Sequence, residues 1–157
     1  MNQKNSKGKT RTISLIEHGT VIDHLNPHVV FEVVRILGID DNVEDTVTLG
    51  TNLPSKVLGK KGIIKIANRR LTPVLVNKLA VLSPNATVSI IEDYEVKEKF
   101  KVKLPEIIEG ILRCANKNCV TNIEGITTRF RLVKQDPVIL MCTYCERSFR
   151  REELEVL

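Results

Sequence analysis

Four cysteines carry the clearest chemistry in this 157-residue sequence, and all four fall after residue 113. Cys114 and Cys119 are separated by four residues, Cys142 and Cys145 by two, and 22 residues lie between the pairs. Two short cysteine knuckles bracketing a strand hairpin describe a zinc ribbon, in which a tetrahedral ion takes one pair from each knuckle. A site closed by four thiolates keeps no coordination position for water or substrate. The expectation is therefore one structural Zn²⁺ per chain at Cys114, Cys119, Cys142 and Cys145. Met1 to Thr10 is polar and lysine-rich, without the apolar segment of a secretory signal. That start points to a cytoplasmic protein and argues against reading the cysteines as a disulfide framework.

A second group of residues is basic. Lys56, Lys60, Lys61, Lys65, Arg69 and Arg70 fall within fifteen residues with no acidic residue among them. A solvated strand edge and loop would account for such a run. Lys65 is more specific, because it interrupts the apolar stretch Ile63-Ile64-Lys65-Ile66. A lysine on a mostly covered strand must snorkel to water or meet an anion. With Lys99 and Lys101 added, a small polyanion such as a nucleoside triphosphate could neutralise several of these ammonium groups. Asp23 and His24 are further polar candidates, although a hydrogen-bonded surface histidine explains His24 equally well, and His18 and His28 stand in no activated arrangement. Catalysis has little support. No glycine-rich phosphate loop, G-x-G-x-x-G or H-E-x-x-H is present, and no carboxylate pair stands out for acid–base work.

The elements that must position these groups follow from periodicity and punctuation. Thr12–Ile16 alternates as a short strand, and the segment Thr20 to His24 then runs up to Asn26-Pro27, a cap followed by the helix position that needs no amide hydrogen. Val30, Phe31, Val33, Val34 and Leu37 form a helical apolar face stopped by Gly38. A strand fits Thr46–Leu49, a loop Gly50–Gly59, and a third strand Ile63–Ala67. Thr72-Pro73 opens a second helix that ends before Ser83-Pro84, and a fourth strand covers Thr87–Ile91. Strand, helix, strand, strand, helix, strand is the ferredoxin-like split βαβ order, an antiparallel sheet with two helices on one face. Tyr94–Lys103 fits an added strand or an extended linker, and Pro105 marks a boundary. Within the cysteine region, Thr127–Leu132 and Val138–Met141 read as strands joined through Asp136-Pro137. The fold expected is α+β: a basic arm at 1–11, a ferredoxin-like domain at 12–104, and a small zinc-ribbon-like all-β domain at 105–157.

Charge distribution separates the partners of the two domains. The formal charge of +5 lies wholly in residues 1–104, with 16 basic against 11 acidic residues, whereas residues 105–157 hold eight of each. A nucleic-acid-binding zinc ribbon needs a cationic excess to release counterions, so the cysteine domain reads better as a protein-docking unit. Ile123, Ile126, Tyr144 and Phe149 are candidates for its surface or its core. An RNA-recognition reading of the larger domain meets a third strand with no aromatic residue on which to stack bases. No stretch approaches the roughly 18 apolar residues of a membrane span.

Several motifs, in order, resemble one family. Gly19-Thr20-Val21-Ile22-Asp23-His24, Asn52-Leu53-Pro54-Ser55, Ile64-Lys65-Ile66, Pro84-Asn85-Ala86-Thr87-Val88, Tyr94-Glu95-Val96 and both cysteine knuckles are similar to the regulatory chains of aspartate carbamoyltransferase, over about residues 11–150. The resemblance implies a non-catalytic subunit that binds CTP, ATP and UTP as allosteric effectors of pyrimidine biosynthesis. It implies regulatory homodimers bridging catalytic chains in a dodecamer of six catalytic and six regulatory chains, with the zinc domain docked on the catalytic chain. By position, it places Asp23 and Lys65 on the ribose, and Lys99 with His24 at the phosphates. Ile91 and Tyr94 border the base, and Ile13 lines the same pocket. Ser89 stands where the family pattern has an asparagine. A hydroxyl offers fewer contacts than an amide, which weakens phosphate binding there and reopens the order of CTP, UTP and ATP.

Overall fold

The computed structural model describes residues 15–157. Strand β1 (Gly19–Leu25) is followed by a 3₁₀ turn at Pro27–Val29, helix α1 (Val30–Ile36), strands β2 (Val47–Ser55) and β3 (Gly59–Ala67), helix α2 (Pro73–Leu82), and strands β4 (Thr87–Glu92) and β5 (Glu95–Lys101). These strands form one antiparallel sheet in the order β2-β3-β1-β4-β5. The first four have the ferredoxin-like arrangement expected from the sequence, and Glu95–Lys101 resolves the open choice at Tyr94–Lys103 as an added edge strand.

Two details of the sequence reading are corrected. The first strand among the described residues is Gly19–Leu25; of the strand expected at Thr12–Ile16, Thr12, Ile13 and Ser14 lie outside the described residues, and Leu15 and Ile16 are not in a strand. Thr20, Val21 and Ile22 are β-branched and pair with β3 on one side and β4 on the other, so pairing converts the supposed connection into the central strand. Asp23 and His24 consequently sit on β1 itself. The expected loop at Gly50–Gly59 is likewise mostly ladder, with Leu53, Pro54 and Ser55 opposite Lys61, Lys60 and Gly59. A register shift between Gly50 and Leu53 absorbs Asn52, which adopts φ 57. Pro54 is tolerated because β2 is an edge strand, where a missing N–H costs no ladder bond.

The helix punctuation behaves as its chemistry dictates. The Asn26 side chain accepts the His28 amide at 3.0 Å ahead of Pro27, and Thr72 accepts the Leu75 amide at 3.3 Å ahead of Pro73. Both helices cover one sheet face, where Ile22, Ile64, Ile66, Val88 and Ile90 meet Val30, Val33, Leu79 and Leu82. Gly62 lets this layer close, since a Cβ there would stand 2.2 Å from Val30 Cγ2.

Beyond Pro105 lie β6 (Ile107–Glu109), β7 (Leu112–Arg113), a short helix α3 (Val120–Ile123), β8 (Arg129–Gln135), β9 (Val138–Cys142), β10 (Ser148–Arg150) and β11 (Glu155–Val156). They make a four-stranded sheet, β10-β9-β8-β6, and a β11-β7 pair. The expected hairpin around Asp136-Pro137 is present, its first strand shifted from Thr127–Leu132 to Arg129–Gln135 and its second extended by one residue to Cys142. The apolar interior is contiguous between the domains, running from Leu79 through Val102, Leu104 and Ile108 to Leu140 and Val156. Polar contacts cross the same junction. Arg35 donates to the Val156 carbonyl at 2.9 Å, Lys78 to the Leu157 carbonyl at 2.6 Å, and Arg151 pairs with Glu32 at 3.3 Å.

Candidate functional site: a thiolate tetrad and a polar row on an open sheet

The four cysteines converge although they come from different elements. Cys114 follows β7, Cys119 precedes α3, Cys142 ends β9, and Cys145 lies in the turn before β10. Their sulfur atoms all lie within 4.8 Å of one another, with Cys114–Cys145 at 3.7 Å and Cys119–Cys142 at 3.8 Å. No pair is bonded as a disulfide. A tetrahedral ion with metal–sulfur bonds of about 2.3 Å requires sulfur–sulfur edges of about 3.8 Å, so the tetrad has the dimensions of a tetrathiolate site.

Local structure aims donors at these sulfurs. The Thr121 hydroxyl donates to Cys119 Sγ at 3.2 Å. Asn122 clamps the first knuckle by donating to the carbonyls of Cys114 and Asn116, at 2.8 and 2.9 Å. In the second knuckle Glu146 takes φ 59, and its amide returns to the Cys142 carbonyl at 2.8 Å. Without an ion, burial pushes the Cys114 and Cys142 thiols above the ordinary range, and the neighbouring sulfurs push the same way. Burial opposes ionisation of Cys145 as well, but hydrogen bonds from the Arg147 amide, Asn116 and the other thiols outweigh it and bring Cys145 down to about 7. Four thiolates crowded this closely need a cation among them, and binding one releases protons.

The second assembly is on the sheet face away from the helices. Lys65 opposes Val21, Val21 opposes Ser89, and Ser89 opposes Lys99, giving one lateral row across β3, β1, β4 and β5. Asp23, two residues along β1 from Val21, projects from the same face. Its carboxylate is held by Lys61 Nζ at 2.7 Å and by the His24 amide at 2.6 Å. Burial raises the Asp23 pKa, but those hydrogen bonds and the charges of Lys61 and His24 outweigh it, leaving the group below its ordinary value. His24 adopts φ 55 beside the register shift in β1, and its Nδ1 lies 3.1 Å from Thr87 Oγ1.

Comparison with known proteins gives one answer for both parts of the chain. The family model described as "Aspartate carbamoyltransferase regulatory chain, allosteric domain" matches residues 11–103, and "Aspartate carbamoyltransferase regulatory chain, metal binding domain" matches 106–155. The aspartate carbamoyltransferase regulatory chain of Pyrococcus abyssi is 48% identical over 143 residues, covering 90% of this chain and 94% of the relative. That of Phocaeicola vulgatus is 43% identical over 145 residues, covering 92% and 93%. The Methanothermobacter thermautotrophicus counterpart is 45% identical over 141 residues, covering 89% and 90%. The chain belongs to the aspartate carbamoyltransferase regulatory-chain family.

As a regulatory chain of pyrimidine biosynthesis it is not itself a catalyst, and the tetrad sits in the part matched by the family's metal-binding domain. Of the nucleotide residues suggested by the sequence, Asp23, Lys65, Ser89 and Lys99 share the open sheet face. Ile91 is buried opposite Gly19. Tyr94 lies at the β4–β5 turn with φ 64 and an exposed ring, and its amide donates to the Glu17 carbonyl at 3.0 Å. Ile13 lies outside the described residues. Sequence reasoning counted Lys61 only as part of a basic run and missed Thr87 as a partner of His24. Lys61 was discoverable, because Lys61, Ile63 and Lys65 alternate on one face of β3. No local signal marked Asn122 as the clamp of the first knuckle.

Proposed function

We propose that the open face carrying Lys65, Ser89 and Lys99 is the effector site, binding CTP, ATP and UTP, and that the tetrad holds one structural Zn²⁺. The observation that carries the nucleotide reading is the lateral row itself, which sets two ammonium groups on either side of a buried hydroxyl, with a pre-oriented Asp23 carboxylate adjacent. Asp23 suits ribose hydroxyls because a carboxylate only accepts hydrogen bonds, while Lys99 and His24 suit phosphate oxygens as donors. Lys65 serves the ribose, and Ile91 and Tyr94 border the base. Ser89 reaches less far than an asparagine amide, so the grip on phosphate is loosened at that point.

Zinc is favoured by four thiolates at tetrahedral spacing. Its role is to fold residues 105–157 and present them to the catalytic chain. Ile123, Ile126 and Tyr144 support this docking, since they remain exposed around the knuckles while Phe149 packs inward. Regulatory chains pair as homodimers within an assembly of six catalytic and six regulatory chains. Edge strand β2, Val47–Ser55, has no charged residue, whereas edge strand β5 carries Glu95, Lys97, Glu98, Lys99 and Lys101. An uncharged edge is the one suited to pairing with a second copy. Regulation requires that effector bind the low- and high-activity assemblies with different affinity, because equal affinity shifts nothing. The unit at 12–104 receives the effector, the unit at 105–157 docks, and the whole operates in the cytoplasm.

The test combines the zinc-loaded chain with its catalytic trimer and titrates CTP and ATP while following assembled mass and carbamoyl-transfer rate. Lys65→Ala should weaken the nucleotide response and leave the basal rate intact. A complex that forms normally with Cys142→Ser would refute the structural-zinc role, and an unchanged response in Lys65→Ala would refute the placement of the nucleotide.

A further inference from the structure

Between the two domains lies a cavity of ≈ 590 Å³, bordered on one side by Asn85 and the linker Lys101–Leu104 and on the other by the β8–β9 turn and Arg151. The linker alternates: Val102 and Leu104 are buried in the shared core, while Lys101 and Lys103 are exposed. Both lysines line the cavity, and neither forms an ion pair among the described residues. Arg151 is fixed in place, its side chain only 12% exposed and its guanidinium paired with Glu32. A guanidinium has five donors, so one carboxylate contact leaves others available. Asp136 and Glu152 also border the cavity, yet neither neutralises the lysines.

We propose that this interdomain cavity binds a small multivalent phosphate, held by Lys101 and Lys103 from the linker and by Arg151 from the cysteine-bearing domain. The volume falls within the range of small-molecule sites, about 300–1,000 Å³. Lysines act as point charges for phosphate, and a guanidinium offers it a planar fork. Flanking protein walls strengthen such attraction relative to open water. Asp136 and Glu152 restrain affinity and favour a ligand whose charge exceeds theirs. Since both domains contribute cations, an occupied cavity ties the linker to the domain beyond it. This site is separate from the row of Lys65, Ser89 and Lys99 and does not depend on the nucleotide assignment made for that row.

The experiment is calorimetric titration of the full zinc-loaded chain with inorganic pyrophosphate at two salt concentrations. It compares wild type, Lys101→Gln/Lys103→Gln, Arg151→Lys and Lys65→Ala. Wild type should bind, more weakly at the higher salt, and Lys65→Ala should retain that affinity. The double variant alters only exposed side chains, so it should fold normally and lose at least ten-fold in affinity. Arg151→Lys, which keeps charge but loses the fork, should fall in between. No binding by wild type, equal binding by the double variant, or a loss confined to Lys65→Ala would each overturn the proposal. Tighter binding of citrate than of pyrophosphate through the same residues would overturn the assignment to phosphate.

Discussion

Removing the metal should unfold the second domain and weaken the first without unfolding it. A structural zinc contributes about 10–16 kcal/mol at neutral pH, comparable to or above the whole stability of an ordinary domain, about 5–15 kcal/mol. The larger domain keeps its own interior of Ile22, Val33, Ile64, Leu79 and Val88. It loses the contacts of Arg35 with Val156, Lys78 with Leu157, and Glu32 with Arg151. Hydrogen bonds of this kind contribute roughly 0.5–1.5 kcal/mol each, and partly exposed ones fall at the low end. The polar share of the loss to the first domain is therefore about 1–3 kcal/mol, or roughly 4–15 °C in Tm for a domain of this size, and exposure of Leu79, Val102 and Leu104 where they meet the second domain adds to it. The chain offers a clean assay because it has no tryptophan and two tyrosines. Tyr94 lies in the first domain and Tyr144 in the second knuckle, so the tyrosine band in the near-UV circular dichroism of Tyr94→Phe reports on the second knuckle. Chelation should abolish that signal while the remaining far-UV spectrum melts cooperatively at a lowered temperature. Retention of the Tyr144 signal, with amide protection in β8 and β9 intact, would refute the reasoning.

Two further outcomes test the packing and the charge network. Asp23→Asn should destabilise the nucleotide-free chain by about 1–2 kcal/mol at pH 7, because it removes a charge-assisted contact with Lys61 that is largely shielded from water. Folding lowers the Asp23 pKa from 3.8, so the stabilisation is complete above that value and disappears as pH falls through the folded value. Urea titrations of both proteins should show the difference closing as the pH falls below 3.8, and a pH-independent difference would assign the effect to packing. Gly62→Ala should cost about 1–3 kcal/mol by overpacking against Val30. Combining it with Val30→Ala should recover part of that loss in a double-mutant cycle; strict additivity would show that the two sites do not touch.

The order of elements was legible because caps and apolar periodicity were strong where it mattered: Asn26-Pro27, Thr72-Pro73 and the β-branched runs of β3 and β4. The tetrad was legible because its ligands are of one rare type at knuckle spacing. What escaped depended on pairing. β1 was misplaced because Thr20–His24 is polar at three of five positions, and only neighbours on both sides hold it extended. The hairpin arm at Leu53–Ser55 was missed because Asn52 and Pro54 are turn-forming residues locally, and the ladder to Lys60 and Lys61 overrides them. Sheet register also determines which charged residues meet, which is why Lys61 was counted in a basic run before its contact with Asp23 could be seen.

The lateral row also limits how this surface can change over generations. Successive side chains on a strand alternate between faces, so one residue gained or lost inside β4 would bring Ser89 to the helix side and expose Val88 or Ile90. Length is therefore constrained there by the interior, while the identity of the outward residue at 65, 89 or 99 remains open to exchange. The chemistry of this open face can drift one side chain at a time without the fold being renegotiated.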